Sequence, residues 1–336
     1  MTNSRRALLA ALPFTILVAG CDLVAETAPG LPAEQEALRA PDAFGPGTLG
    51  AWSPALDIEA APPGADANFN TGAAEGCPFI SRDGKTFFIA SDRPGGMGGL
   101  DIWIATRERV TDPWGAPENA GYPINTPSAD FCPTLARDGH TFFFASNRPA
   151  SPDGPGYCGT TPNADLYESR WGPDGFRPPT HLGCEVNSPQ DEHGPFLLTL
   201  PGEGPVLYFS SARSASAGDA SGDHDLYVSR FRGGAYGAPE LVPGVNTMAN
   251  DGQPNVRRDG LELFFYSNRP GSAGNDIYSA SRTSPFAQWT DVSNLGPNVN
   301  SNFSETRPTS SWDGRTLYFG STRQPSMSND IYLTTR

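Results

Sequence analysis

Five carboxylates recur at one fixed position of this chain, where each could bind a cation or pair with a basic side chain. Each lies five residues after an asparagine and three residues before a proline, and the five are Glu75, Asp130, Glu192, Asp251 and Glu305. If the copies form a ring, the five acids could bind a cation or a basic partner through their oxygens. A residue present in every copy is usually required by the repeat itself. Chemistry is therefore sought where the copies differ.

Each copy continues with a Ser-x-Arg sequence and then with Asp-[Ile/Leu]-[Tyr/Trp]. The arginines are Arg93, Arg148, Arg213, Arg269 and Arg323, and the aspartates are Asp101, Asp165, Asp225, Asp276 and Asp330. The planar guanidinium group fits carboxylates well, so the copies predict an Arg–carboxylate network on one face of the fold. An arginine for each acid favours this structural interpretation over an ion-binding ring.

The segments between these motifs alternate like strands. In the first copy, Cys77–Ser81 and Lys85–Ser91 flank Asp83-Gly84, which predicts a β-hairpin. A third strand begins at Asp101, and a weak fourth strand follows Trp114. Four antiparallel strands for each repeat of 54–62 residues are typical of a β-propeller blade. The sequence thus predicts an all-β fold of five four-stranded blades.

The phase of the repeats predicts how the ring closes. The chain stops after the third strand of the fifth copy, whereas residues 50–58 form a surplus segment similar to the fourth strands. We expect this N-terminal strand to complete the last blade and to protect its edge. The whole pattern, over residues 48–336, resembles the WD-like propeller repeat of the TolB type. That resemblance implies the fold but no particular function.

The N-terminus has the features of an export signal. Arg5 and Arg6 precede a short apolar stretch, so residues 1–20 are predicted to be a signal peptide. Residues 17–21, Leu-Val-Ala-Gly-Cys, resemble a bacterial lipobox, which implies cleavage before Cys21 and lipidation of its thiol. An ordinary secretory signal is the alternative. Residues 21–47 are expected to form a flexible tether, which places the domain in the cell envelope on a lipid anchor.

Composition and cysteine usage narrow the possible functions. Loss of Arg5 and Arg6 with the signal would change the net charge from −14 to −16, which disfavours nucleic acid as a partner. Cys77, Cys132, Cys158 and Cys184 remain, and an even number in an exported protein suggests two disulfides. Three connectivities are possible. We favour Cys77–Cys132, which occupy the same position of adjacent repeats, and Cys158–Cys184.

Few residues outside the repeat are candidates for chemistry. The loops between Ser-x-Arg and Asp vary in length, so their face is the expected contact surface for an envelope protein or a small ligand. Asp219, Asp223 and Asp225 could bind Ca²⁺, but their spacing matches no known calcium loop, and no cofactor is expected. His193, next to Glu192, is the one break in the repeat symmetry that we single out.

The sequence therefore predicts a monomeric, membrane-anchored propeller that acts as a binding or scaffold module. One alternative is a glycan-active enzyme, which would need two carboxylates facing the scissile bond at the channel mouth. Another is a purely structural envelope protein. An unpaired, deeply set carboxylate pair on the loop face would favour the enzyme.

Overall fold

Antiparallel strands account for almost all regular structure in the computed structural model, which describes residues 49–61, 68–149, 158–159, 163–200, 204–213, 223–324 and 328–336. Within these ranges, β1 (Leu56–Asp57) is followed by a short 3-10 turn (Ile58–Ala60). No helix in the described part is long and apolar enough to cross a bilayer.

The strands form five sheets that repeat the same order. Blade 1 contains β2 (Glu75–Ile80), β3 (Thr86–Ser91), β4 (Asp101–Thr106) and β5 (Glu118–Asn119). Blade 2 contains β6 (Asp130–Leu135), β7 (Thr141–Ser146), β8 (Asp165–Gly172), β9 (Gly175–Phe176) and β10 (Thr180–His181). Blade 3 contains β11 (Glu192–Leu198), β12 (Val206–Ser211), β13 (Asp225–Arg232), β14 (Ala235–Tyr236) and β15 (Glu240–Leu241). Blade 4 contains β16 (Asp251–Val256), β17 (Glu262–Ser267), β18 (Asp276–Ser281) and β19 (Thr290–Asn294). Blade 5 contains β20 (Glu305–Ser310), β21 (Thr316–Ser321), β22 (Asp330–Thr335) and, from the other end of the domain, β1.

The first strand of each blade lies innermost and packs against the first strands of both neighbouring blades. The second strands carry aromatic side chains on both faces, because successive residues of a strand point to opposite sides. Phe87 contacts Tyr318 of blade 5 at 5.0 Å between ring centroids, whereas Phe88 contacts Phe142 of blade 2 at 5.4 Å. Each sheet is therefore buried on both faces, and the predicted five-bladed propeller is confirmed.

The ring closes where the sequence predicts. Leu56 and Asp57 pair with Leu333 and Tyr332, and the backbone amide of Ser53 donates to Thr335 O at 2.7 Å. Asn70 joins the same seam, because its amide accepts from Ile331 N at 2.7 Å and donates to Ile331 O at 3.0 Å. The corresponding asparagines Asn125, Asn187, Asn246 and Asn300 make the same pair of bonds to the third strand of the preceding blade. This explains why every copy begins with asparagine.

Both favoured disulfides are present. Cys77 and Cys132 join the innermost strands of blades 1 and 2, with an S–S distance of 2.00 Å. Cys158 and Cys184 join the long loop of blade 2 to the segment after its last strand, with an S–S distance of 2.06 Å.

The closing segment should contribute measurably to stability. Trp52 is buried, contacts Phe264 edge-on at 6.0 Å and lies 4.2 Å below the guanidinium of Arg336. We expect Trp52→Ala to lower the free energy of unfolding by about 3–5 kcal/mol, as for other buried large aromatics. Urea denaturation would measure the loss. Leu56→Ala is the control in the same segment, because Leu56 is 46% exposed. Equal, small effects of the two substitutions would contradict a packed seam.

Candidate functional site

The five repeated acids are fully buried and each is paired with the arginine of its own repeat. The ion pairs measure between 2.6 and 3.2 Å and are Arg93–Glu75, Arg148–Asp130, Arg213–Glu192, Arg269–Asp251 and Arg323–Glu305. Glu305 shows the typical arrangement, since it also accepts from Ser301 N, Ser301 Oγ and Ser321 Oγ at 2.6–2.8 Å. Burial raises the pKa of Glu192, and its hydrogen bonds to Ser188 and Ser211 oppose that shift. These acids stabilise the blades, and because they are buried and paired they are not accessible to a ligand.

The repeated arginines contact more than the acids. Arg93 donates to the carbonyls of Asn68 and Phe69, in the segment that leads into the blade. Its guanidinium also lies 5.3 Å from the ring centroid of Trp103, the aromatic residue of Asp-Ile-Trp. The equivalent contacts join Arg323 to Val299 O and to the ring of Tyr332. Ser-x-Arg thus joins the inner strand, the incoming loop and the third strand of each blade.

The aspartates that open the third strands lie opposite the serine of Ser-x-Arg, at the same end of each blade. Three of them have a partner in the fourth strand, and Asp101 also accepts from the backbone amide of Met97 in the preceding loop. Asn119 Nδ2 donates to Asp101 at 3.1 Å, Asn294 Nδ2 donates to Asp276 at 2.7 Å, and His181 Nε2 lies 3.1 Å from Asp165. Asp225 and Asp330 are buried at the same position. All five belong to the scaffold.

The residues directly before the repeated prolines line the central axis. They have left-handed φ angles between 48° and 59° in a β-bulge, and they are Cys77, Cys132, Gly194, Gln253 and Arg307. The Cys77–Cys132 disulfide and the side chain of Gln253, whose Nε2 lies 3.1 Å from Cys132 Sγ, fill much of this level. A cavity of about 30 Å³ remains there. The two ends of the axis are therefore separate sites.

At the loop end of the axis, glycines make room for polar side chains of neighbouring strands. A Cβ on Gly76 would collide with the guanidinium of Arg307, and one on Gly252 would collide with the ring of Tyr266. A Cβ on Gly320 would lie 2.6 Å from Asn329 Nδ2. The equivalent positions elsewhere carry larger residues such as Phe131, Ala90 and Ala145. The glycines that leave room for polar side chains are therefore found in blades 1, 4 and 5. We call Arg307, Tyr266, Asn329, His193 and His224 the loop-face mouth.

Arg307 differs from the repeated arginines because its guanidinium makes no hydrogen bond or ion pair with any described residue. Burial lowers the pKa of its guanidinium, and nearby Tyr266 opposes that shift. Burial also raises the pKa of Tyr266, whose hydroxyl therefore stays protonated. An unpaired guanidinium and a hydroxyl donor face one another at this end of the axis.

His193 forms one wall of the mouth together with His224. The two imidazoles stack with centroids 4.6 Å apart, and Phe131 packs edge-on against His193 at 5.3 Å. Burial lowers the pKa of His193 to about 3, and His224 and Arg307 add to the shift. Burial also lowers the pKa of His224, while Asp191, Asp223 and Asn250 oppose that shift.

Sequence reasoning singled out His193 and missed the rest of this cluster. Arg307 stands where the other repeats have Cys, Gly or Gln, and His224 stands directly before Asp225, where the other repeats have Leu, Ala or Asn. Alignment of the five repeats position by position would have found both. Cys21 and Asp219 lie outside the described residues, as do parts of the variable loops, so the calcium interpretation stays a prediction. The described residues contain no group of three or more metal-ligating side chains.

Comparisons with known proteins support the fold class of this chain. No family model and no curated protein matches the sequence. A thermostable family-43 glycoside hydrolase is similar in structure, with a TM-score of 0.51 at 12% identity over 78% of this chain and 88% of that one. A GH62 hydrolase solved with xylotriose has a TM-score of 0.51 at 10% identity over 86% and 98%. The putative TolB from Agrobacterium tumefaciens has a TM-score of 0.47 at 14% identity over 84% and 85%. The chain is a five-bladed β-propeller protein, and likenesses at such identities establish nothing finer.

The depressed pKa of His193 predicts loss of stability in acid. The unfolded chain binds a proton near pH 6.5, whereas folded His193 binds one only near pH 3, so its contribution is complete above pH 6.5 and declines as the pH falls towards 3. We expect proton binding by this histidine to lower the free energy of unfolding by up to about 2 kcal/mol at pH 5 relative to pH 8. His193→Gln should reduce the difference between urea midpoints at these two pH values. His140→Gln, a change at an exposed histidine, should leave that difference unaltered. If the loss of stability at low pH persisted in full in His193→Gln, its assignment to this histidine would be wrong.

Proposed function

We propose that this protein is a binding module of the cell envelope that holds the anionic group of a ligand at the loop-face mouth. The observation that carries the proposal is Arg307, a cation without a described partner in a space that Gly76 leaves open. Every repeated arginine at this end of the blades is already neutralised by its own acid. A further guanidinium left unpaired in a partly desolvated place is costly for the fold alone.

The neighbours of Arg307 suit an anionic ligand. Tyr266 offers a hydroxyl donor, and the stacked rings of His193 and His224 provide a flat wall that is uncharged at neutral pH. Guanidinium groups bind carboxylates and phosphates through parallel hydrogen bonds, and such charge-assisted bonds are stronger than neutral ones. The surrounding variable loops would then add contacts to the rest of the ligand.

Arg307→Met tests this function even before the ligand is identified. If Arg307 serves binding, its removal should stabilise the ligand-free protein, by on the order of 1 kcal/mol, because a desolvated unpaired charge is lost. Arg323→Met is the matched control in the same blade and should cost about 3 kcal/mol or more, since it leaves Glu305 buried and unpaired. Differential scanning calorimetry would measure both.

The same variants separate binding from structure. Sodium glucuronate is the first probe and glucose its neutral counterpart, and the proposal expects a rise in melting temperature with the acid that Arg307→Met abolishes. If Arg307→Met destabilised the protein as much as Arg323→Met does, the residue would be structural and the proposal would fail.

A second candidate is a glycan-active enzyme. Glycoside hydrolases are among the proteins that share the fold, and two carboxylates outside the repeated set, Asp191 and Asp223, both act on His224. Glycoside hydrolysis requires two such acids across the scissile bond. The enzyme hypothesis expects reducing sugar to be released from xylan or arabinan, and the release to disappear in both Asp191→Asn and Asp223→Asn. Activity that survives in both variants would remove these acids from consideration.

We place the protein on a lipid anchor at Cys21, outside the cytoplasm. Two disulfides support an oxidising compartment, because such bonds are rare in the cytosol. Mass spectrometry of the mature N-terminus decides the matter, since an unmodified Cys21 would exclude the anchor.

A further inference from the structure

The end of the propeller opposite the loop-face mouth is built from two turns of each blade. One turn joins the first and second strands, the other joins the third and fourth, and the two lie side by side. In blade 1, Arg107 N donates to Lys85 O at 3.0 Å, and in blade 4, Arg282 N donates to Leu261 O at 3.0 Å. We call these turns the hairpin face, which comprises residues 81–85, 107–117, 136–140, 173–179, 199–200, 204–205, 233–239, 257–261, 282–289, 311–315 and 336.

Every exposed arginine of the described residues lies on the hairpin face or at a strand end that borders it. These arginines are Arg82, Arg109, Arg137, Arg170, Arg177, Arg230, Arg232 and Arg315. Counted over the whole sequence of the turns, Glu203 included, there are eleven arginine or lysine residues against eight acids. The hairpin face is therefore basic, although the chain has a net charge of −14.

The opposite end of the propeller is acidic. Its segments join second strands to third strands and one blade to the next, and they contain no lysine. Their only arginines are the five of Ser-x-Arg, which pair with the buried repeated acids. The same segments contain seven acids, namely Asp66, Asp92, Asp153, Glu185, Asp191, Asp219 and Asp223. The charge of the domain is thus divided along its axis.

The hairpin face also presents apolar side chains among its arginines. Val110 is 54% exposed and Phe286 is 70% exposed, and both belong to turns between third and fourth strands. Trp312 lies under three guanidinium groups, whose Cζ atoms are 4.9, 5.4 and 5.6 Å from its ring centroid and belong to Arg82, Arg137 and Arg258. Cations interleaved with apolar and aromatic side chains suit a lipid surface, because the former meet the phosphates while the latter enter the headgroup boundary.

The N-terminal segment joins the domain at this same face. Leu49, the first described residue, lies beside the blade 5 turn, since a Cβ on Gly314 would be 3.7 Å from Leu49 Cδ1. Ser53 then pairs with Thr335, at the end of the last strand, before β1 begins. Residues 21–47, the expected tether, therefore attach beside the basic turns and not beside the mouth.

We propose that the hairpin face lies on the anionic phospholipid surface of the membrane and directs the loop-face mouth away from it. Acidic lipids attract arginines within about one Debye length, which is about 10 Å at 0.1 M salt. Strands of six residues separate the two ends by about 20 Å, at about 3.3 Å per residue, so salt screens the acidic end from the lipid. The negative net charge of the chain therefore does not prevent this contact.

The inference rests on the proposed location in the cell envelope, but it needs neither lipid on Cys21 nor a ligand at Arg307. An unmodified Cys21 would remove the anchor and leave the basic face as it is. Conversely, Arg307→Met should leave vesicle binding unchanged, because Arg307 belongs to the opposite end of the axis. Failure of either proposal is thus distinguishable from failure of the other.

Sedimentation of the Cys21→Ser protein with lipid vesicles tests the face without the anchor. In about 0.1 M salt we expect binding to phosphatidylglycerol vesicles to be at least about tenfold stronger than to phosphatidylcholine vesicles, and the preference to vanish in about 0.5 M salt. Arg109→Gln/Arg137→Gln should weaken binding to phosphatidylglycerol at least about fivefold, since two cations near the surface are lost. Both side chains are exposed, so the fold should persist.

The matched control makes the same change of net charge at the acidic end. Asn147→Asp/Asn268→Asp lowers the net charge by two, as the arginine variant does. Both asparagines accept a backbone amide through Oδ1, at 2.8 and 2.9 Å, and Asp92 does the same in blade 1 at 2.8 Å, so an aspartate fits this position. Binding should stay within about twofold of the unchanged protein. Equal weakening by the two double variants would show that net charge alone acts, and would overturn the proposal.

A second pair of variants tests the apolar part of the contact. Phe286→Ala should weaken vesicle binding about threefold or more, because an exposed aromatic side chain no longer enters the headgroup boundary. Met248→Ala is its control at the opposite end, since Met248 is 69% exposed, and it should leave binding within about twofold. Weakening by Met248→Ala alone would place the acidic end on the membrane and contradict the proposed orientation.

Nitroxide labels on Phe286→Cys and Met248→Cys report the orientation directly. On phosphatidylglycerol vesicles the label at position 286 should be shielded from a water-soluble nickel complex, and the label at position 248 should stay accessible. Absence of binding to phosphatidylglycerol, or shielding at position 248 instead of 286, would overturn the proposal. Analytical ultracentrifugation without vesicles completes the test. Self-association that disappears in Arg109→Gln/Arg137→Gln would assign the hairpin face to the acidic end of a second copy, and not to lipid.

Discussion

The buried pair between an inner-strand carboxylate and the arginine of Ser-x-Arg is the interaction on which this fold depends. In blade 1, Arg93 contacts Glu75, the carbonyls that lead into the blade and the ring of Trp103, so one side chain fixes three segments. Loss of either partner would leave a charge buried without compensation, which commonly costs 3–5 kcal/mol. The pair recurs five times because each blade needs its own.

Because the repeated residues stabilise the blades, the side chains at the axis are not needed for that role and can differ between blades. The position before each proline must accept a left-handed φ, but its side chain differs in every blade except the two joined by a disulfide. The residues around it are matched to it in size. Gly76 is small where Arg307 needs space, and Gly252 is small where Tyr266 does. Such complementary changes indicate a shaped site rather than drift in a solvent-filled channel.

The two ends of the axis have different electrostatics. The loop end has the Arg307 guanidinium, which has no partner among the described residues, beside imidazoles that burial keeps neutral, whereas the hairpin end has three guanidinium groups around an indole. The chain as a whole is acidic, so long-range attraction by net charge cannot select an anionic ligand for the loop end. Selection must come from short-range geometry, through directed hydrogen bonds and stacking.

The sequence by itself determined the blade count, the strand order and the closing strand, because these follow from local turn chemistry and from the phase of a repeated pattern. It favoured the two disulfide pairings among three possible connectivities, and the structure decided between them. Asp83-Gly84 specifies its hairpin without reference to any distant residue. The repeat also marked His193 as a departure from symmetry. Only the tertiary structure decided what surrounds it, since His224 and Arg307 reach the mouth from other strands and blades. Likewise Arg82, Arg137 and Trp312 belong to turns more than 50 residues apart, and the closed ring alone brings their side chains together around the axis.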